Sequence, residues 1–118
     1  MKLASHCTSH LFTSDEEQML ARAFRALSNP HRLAIYLRLL RHADSQPANT
    51  PGSELIHSCS LQALIDKLDI GAPTISHHVK ELVNAGLISV EREGKYIRCT
   101  LDEAMRQQLA AALGQRTA

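Results

Sequence analysis

The chain has 118 residues, of which 44% are hydrophobic and only 3% aromatic, and its formal net charge is +1. That length supports one compact core, which with so few rings must be built from Leu, Ile, Val and Ala, a mixture better suited to helices than to a sandwich or barrel. No apolar run approaches the roughly 20 residues of a membrane span and no leader pattern opens the chain, so a cytoplasmic protein is expected, and any nucleic-acid partner has to be argued from local motifs rather than bulk charge.

Residues 1–13 carry no usable periodicity and read as a flexible N-terminal tail, which leaves 14–118 as a single domain. Ser14 and Glu17 offer an S-x-x-E capping box, and Met19, Leu20, Ala23, Phe24 and Leu27 recur at helical spacing, so a first helix is predicted over about 15–27. "SNPHR" then stops and restarts the chain: Asn29 can cap a second helix, and Pro30 fits its first position, where no backbone donor is needed. In that helix Leu33, Leu37 and Leu40 form one stripe while Ile35 and Leu39 lie off it, so it is apolar around much of its circumference and reads as central. The stretch 42–59 is polar and broken by Pro47, Pro51 and Gly52, which predicts a long loop, and "LIHSC" near its end could form a short strand.

Ser60 is the expected cap of a third helix, "LQALIDKL", and a tight "DIGA" link leads to a fourth, "PTISHHVKELVNA", ended by Gly86. Two short helices joined by a few residues containing glycine form a helix-turn-helix pattern. Beyond Gly86 the period changes to alternation, and "LISVERE" and "KYIRCTL" read as a β-hairpin turning at Glu93-Gly94. Asp102 then caps a last amphipathic helix in which Met105, Leu109, Ala112 and Leu113 align. The predicted fold is mainly α with a small hairpin, in the order α-α-α-α-β-β-α, with a short strand possible before the third helix: a winged helix-turn-helix.

On a helical wheel Ile75, Val79, Leu82 and Val83 of the fourth helix gather on one side, the expected core face. Thr74, Ser76, His77, His78 and Lys80 fall on the outer face and its shoulders, with Glu81 and Asn84. Short hydrogen-bonding side chains and one cation suit a major-groove reader, because base edges present donors and acceptors and phosphates line both walls. A polar helix face alone is commonly just solvated. Here a short helix precedes it at helix-turn-helix spacing, and a hairpin carrying Arg92, Lys95 and Arg98 comes directly after it. Between residues 60 and 100 the five basic residues (67, 80, 92, 95, 98) are balanced by five acidic ones (66, 69, 81, 91, 93), so few phosphate contacts and a shallow salt dependence are expected.

"LSNPHRL", "PTISHHVKEL", "AGLI" and "EGKYIRCTL", in this order, resemble the ArsR/SmtB family of winged-helix repressors over about residues 20–113. The resemblance implies a homodimer built through the first and last helices, bound to double-stranded operator DNA at an imperfect palindrome and released by an inducer. It places base and phosphate recognition on Thr74, Ser76, His77, His78 and Lys80, and wing contacts on Arg92, Lys95 and Arg98. His31 and Arg32 match the family's "NPxR" run and imply a structural or phosphate-contacting role at a helix start.

The inducer is where the chain departs from the family. One family pattern puts Cys-x-Cys at the start of the third helix, but those positions are Ser60 and Gln62 here, with Cys59 one residue early. A second puts an Asp-x-His and a His-x-x-Glu on the last helix, and no histidine occurs after Asp102. Two looser clusters remain, His6, Cys7 and His10 in the tail and His57 and Cys59 before the third helix. Thiolate with imidazole is a soft to borderline ligand set for arsenite, antimonite, cadmium or zinc. Family sites that join a tail to the partner's third helix make Cys7 with Cys59 the implied pair. Sensing of thiol oxidation or reactive sulfur, or of an organic ligand, stays open beside it. With an odd count of three and no Cys-x-x-Cys, the cysteines are expected as free thiols, and Cys99, alternating with Ile97 and Leu101, is assigned to packing.

Catalysis is not expected. No Gly-rich phosphate loop, HExxH or G-x-S-x-G occurs, and Ser76, His77 and His78 lack a spaced triad partner. The remaining rival is a winged helix used only for protein contact, without DNA binding.

Overall fold

The computed structural model describes residues 12–44 and 58–114. Helices α1 (Ser14–Leu27) and α2 (Pro30–Asp44) are followed by β1 (Ser58–Ser60), α3 (Leu61–Leu68), α4 (Ala72–Asn84), β2 (Ile88–Glu93), β3 (Tyr96–Leu101) and α5 (Glu103–Ala112). The strands form one antiparallel sheet in the order β1-β3-β2. The short strand before the third helix is therefore real, and it turns a two-stranded wing into a three-stranded one. Among the described residues no helix is long and apolar enough to cross a membrane.

Most boundaries have a local chemical cause. The Asn29 side chain accepts from the backbone N–H of His31 and Arg32 at 2.9 and 3.1 Å, starting α2 as expected. Ser60 accepts from Ala63 N–H and Asp102 from Met105 N–H, capping α3 and α5. At α1 the cap is Thr13 rather than Ser14, and the reciprocal partner is Glu16 rather than Glu17. The sequence "TSDEE" holds two overlapping boxes. The structure uses the one next to Phe12, which packs against the core, so residues 12 and 13 belong to the fold rather than to the tail. Helix α2 also runs on through Asp44, past the start assigned to the loop at 42.

The end of α4 sets the direction in which the wing departs. Gly86 takes φ +79°, a conformation that strains any side chain, and its N–H bonds to Val83 C=O at 3.0 Å while Leu87 N–H reaches back to Leu82 C=O at 3.0 Å. This is a Schellman turn, with Leu82 and Leu87 supplying the apolar contact that usually accompanies it, both fully buried. The chain leaves the turn directly into β2, and Leu87 C=O accepts from Asp102 N–H at 2.9 Å, tying the wing's return to its departure. The hairpin turn lies at Gly94-Lys95, with Gly94 at φ +64°, because Glu93 still pairs with Tyr96. That is one residue later than the sequence suggested.

The core draws on every helix and all three strands: Leu20, Ile35, Leu39, Cys59, Leu64, Ile75, Leu82, Leu87, Cys99 and Leu109 are among its members. Helix α2 is central, but the stripe it buries is Ile35, Tyr36 and Leu39, while Leu33 and Leu37 stay exposed. A helix that is apolar on several sides cannot reveal from periodicity which side the core takes. On α4, Ile75, Val79 and Leu82 are buried as the wheel predicts, and Val83 is left partly exposed.

Candidate nucleic-acid interface

Helix α4 begins without a side-chain cap. Gly71 occupies the N-cap position and Pro73 lies in the first turn, so no capping side chain satisfies the leading N–H groups, and the positive end of the helix dipole is unopposed by any acidic residue of the first turn. Along its outer face Thr74, Ser76, His77 and Lys80 are exposed, and His78 is half-buried. The helix is held from behind by Ile75, Val79 and Leu82, and from the side by a loose ion pair, Arg32 Nη1 to Glu81 Oε1 at 3.8 Å.

His78 packs edge-on against His31 at the start of α2, ring centroids 5.5 Å apart, and lies 5.7 Å from His77. Burial holds its pKa below the ordinary histidine value, and the nearby Arg32, His31 and His77 act in the same direction, with only Glu81 opposing. Its Nδ1 is buried without a hydrogen-bond partner. A folded-state pKa below the unfolded one means that, as pH falls past the ordinary value of about 6.5, the unfolded chain takes up a proton the folded chain refuses. Stability contributed by neutral His78 is thus complete above that value and is lost below it. Thermal unfolding between about pH 7.5 and pH 5 should show a decline in Tm that is shallower in His78→Gln than in the wild type; parallel declines would exclude His78 as the source.

On the wing, Arg92 and Lys95 are exposed, whereas Arg98 is engaged: its Nε donates to Glu93 Oε1 at 3.1 Å and its Nη1 donates to Ser58 Oγ at 3.2 Å. Arg98 therefore ties the turn end of β2 to β1 across the sheet. Tyr96, 61% exposed beside Lys95, was not among the candidates drawn from the sequence, although alternation along "KYIRCTL" already sets it opposite the buried Cys99. An aromatic ring with a hydroxyl next to a lysine is well made to lie along a sugar-phosphate backbone.

The thiols have a different setting. Cys59 and Cys99 are directly opposed across β1 and β3, and both are buried. Burial pushes the Cys59 thiol up, partly offset by Arg38 and Arg98, and pushes Cys99 up to about 11, with Cys59 adding to the rise. Both are protonated near neutrality. Cys99 does pack as expected, but the pairing with Cys59, 40 positions away in sequence, could not be read from either residue alone. His6, Cys7, His10 and His57 lie outside the described residues. Among the described residues no group of three or more His, Cys, Asp or Glu side chains is placed to hold a metal ion.

A helix-turn-helix with an exposed polar face on its second helix and a three-stranded wing beside it defines the winged-helix class. The model of the family described as bacterial regulatory protein, arsR family, matches residues 57–90, which span β1, α3, α4 and the start of β2. The uncharacterized HTH-type transcriptional regulator YbzH of Bacillus subtilis is 39% identical over 89 residues, covering 74% of this chain and 87% of that protein. The chain belongs to the arsR family of transcriptional regulators. Among solved structures it is similar to the transcriptional repressor BigR from Xylella fastidiosa, at 26% identity and a TM-score of 0.61 over 84% of this chain and 86% of that one. An ArsR family transcriptional regulator (22% identity, TM-score 0.62, 82% and 90% covered) and HlyU from Vibrio cholerae (20%, 0.61, 85% and 97%) share the fold.

Proposed function

We propose that the chain is a dimeric cytoplasmic repressor that seats α4 in the major groove of an imperfect palindrome and is released by a thiophilic metal or metalloid ion. The observation that carries the DNA reading is the uncapped start of α4 beneath an exposed face of Thr74, Ser76, His77 and Lys80, next to Arg92 and Lys95 on the wing. His78 lends its exposed edge, and Arg98 reaches phosphate only by exchanging Glu93 for it. Repression, rather than activation, is supported by the likeness to BigR. Two-fold symmetry then sets half-sites about one helical turn apart. Support for the dimer is the surplus apolar surface of the outer helices: Met19, Phe24 and Leu113 are exposed, and Phe12, Leu20, Phe24 and Ala112 line a groove of about 400 Å³ between α1 and α5 that the same groove of a second copy would cover.

For the inducer, Cys59 with Cys7, and His6, His10 and His57 as further ligands, would hold arsenite, antimonite, cadmium or zinc. Binding has to displace a proton from a thiol whose burial opposes ionisation, so affinity should rise with pH. A second reading rests on the register of Cys59 against Cys99. Opposed residues of an antiparallel pair have Cα atoms about 4.5–5.5 Å apart, inside the range of about 4.4–6.8 Å that a disulfide spans. Oxidation by hydrogen peroxide would join the two sulfurs, the thiols giving up two protons and two electrons while the O–O bond breaks to leave two waters.

Fluorescence anisotropy with the chain's own upstream DNA tests both readings. Retention of the DNA, and its release by one of arsenite, antimonite, cadmium or zinc under reducing conditions, is the expected result, with Cys59→Ser retaining repression but failing to respond. Release by peroxide alone, with a 59–99 cross-link on peptide mapping, would favour the second reading. No binding to that DNA would sink the repressor itself.

A further inference from the structure

Beside the proposed reading face, at the C-terminal end of α4, lies an open cavity of about 300 Å³ bounded by three helices. Arg22 and Arg25 enter it from α1, Arg32 from α2, and Glu81 and Asn84 from the last turns of α4. The remaining walls are Ala26 and Ala85, whose small side chains leave the space open. Three arginines and one glutamate line the space, an excess of two formal positive charges. The single pairing is weak: Arg32 and Glu81 approach only to 3.8 Å, longer than a hydrogen bond, and Arg32 Nε is buried with no partner. Arg22 and Arg25 pair with no carboxylate among the described residues.

Like charges gathered around a concave space repel one another, and a buried donor without a partner costs free energy. Both penalties are relieved by a ligand that carries two negative charges and several acceptor oxygens. Guanidinium forks bind phosphate oxygens in bidentate pairs, and Asn84 adds an amide that can donate to a third oxygen. No aromatic side chain lines the walls, so nothing there would stack on a base or ring. The chemistry recognised is the oxyanion itself.

We propose that Arg22, Arg25 and Arg32 form a seat for a dianionic phosphate group, filled either by a small phosphorylated molecule or by a backbone phosphate of the bound DNA. An anion there competes with Glu81 for Arg32, and Glu81 is carried on α4, so occupancy alters the tether between α2 and the reading helix. The first source is independent of the DNA reading, and only the second rests on it.

The test starts without DNA, titrating sodium pyrophosphate into the full chain by calorimetry at ionic strength held constant with chloride. Saturable binding at one site per protomer is expected, weakened about tenfold in Arg22→Ala and Arg25→Ala, whose side chains are exposed and whose loss should leave the circular dichroism spectrum intact. Glu81→Gln, which removes the competing carboxylate, should bind severalfold more tightly, an outcome that a purely structural role for these residues would not produce. Anisotropy on operator DNA then separates the sources. If free pyrophosphate does not bind but Arg25→Ala loses DNA affinity and flattens the log–log salt slope by about one, the backbone fills the seat. The proposal is overturned if pyrophosphate shows no saturable binding and both arginine variants match the wild type in DNA affinity and salt slope. Failure of the DNA reading would appear separately, as absence of DNA binding by the wild type with the pyrophosphate titration unaffected.

Discussion

Leu82→Ala should be among the most destabilising single changes in the chain, costing about 2–5 kcal/mol against a total stability of about 5–15 kcal/mol for a domain of this kind. Leu82 is fully buried in the face of α4 that packs on the core, and its carbonyl accepts the Leu87 N–H that closes the Schellman turn. Removing its side chain leaves a void beneath the reading helix and takes away the apolar contact at the point where the chain swings into the wing. Urea unfolding of the variant should show a lower midpoint with an unchanged slope, since the surface exposed on unfolding is nearly the same. Leu82→Met, which conserves volume, should cost less than about 1.5 kcal/mol. A loss below about 1 kcal/mol in the alanine variant would mean that the site collapses freely and that α4 is not anchored there.

The second large effect concerns DNA. Lys80→Ala and Arg92→Ala are each expected to weaken operator binding by about tenfold, the usual consequence of losing a charge-assisted contact, and each should flatten the salt dependence by about one unit of log–log slope. Both side chains are exposed, and neither takes part in an ion pair among the described residues, so the fold and the proposed dimer should persist. Arg98→Ala provides the contrast. Its guanidinium already binds Glu93 and Ser58, so its loss should disturb the wing's shape more than its charge, and the salt slope should hardly move. Unchanged affinity in both Lys80→Ala and Arg92→Ala would remove the proposed reading surface.

The elements that could be read in the sequence are those whose cause is local. Asn29 with Pro30, Ser60, Asp102 and Gly86 each satisfy or terminate a helix within three or four residues, and all act at the positions expected. The features that could not be read depend on partners far away in the chain. Thr13 prevails over Ser14 as a cap because Phe12 reaches the core, a contact that no capping pattern encodes. The choice of Ile35 and Leu39 over Leu33 and Leu37 as the buried stripe of α2 depends on where α1, α3, α4 and the sheet come to rest. The polar face of α4 could be assigned from its wheel, whereas the arginine-lined cavity could not, because its three arginines come from two helices and its floor from a third. Cys59 and Cys99 likewise become neighbours only once β1 joins the sheet.

The third strand has a mechanical consequence. Ser60 is at once the last residue of β1, paired with Arg98 of β3, and the N-cap of α3. No slack separates the sheet from the helix-turn-helix at that end, and at the other the Schellman turn joins α4 to β2 with equal economy. The helix-turn-helix, with α4 as its proposed groove reader, and the wing are therefore fastened to each other at two points, as the jaws of one clamp. A strain applied at either jaw is felt at the other, so base changes under α4 and changes in the flanking DNA beneath the wing should combine non-additively.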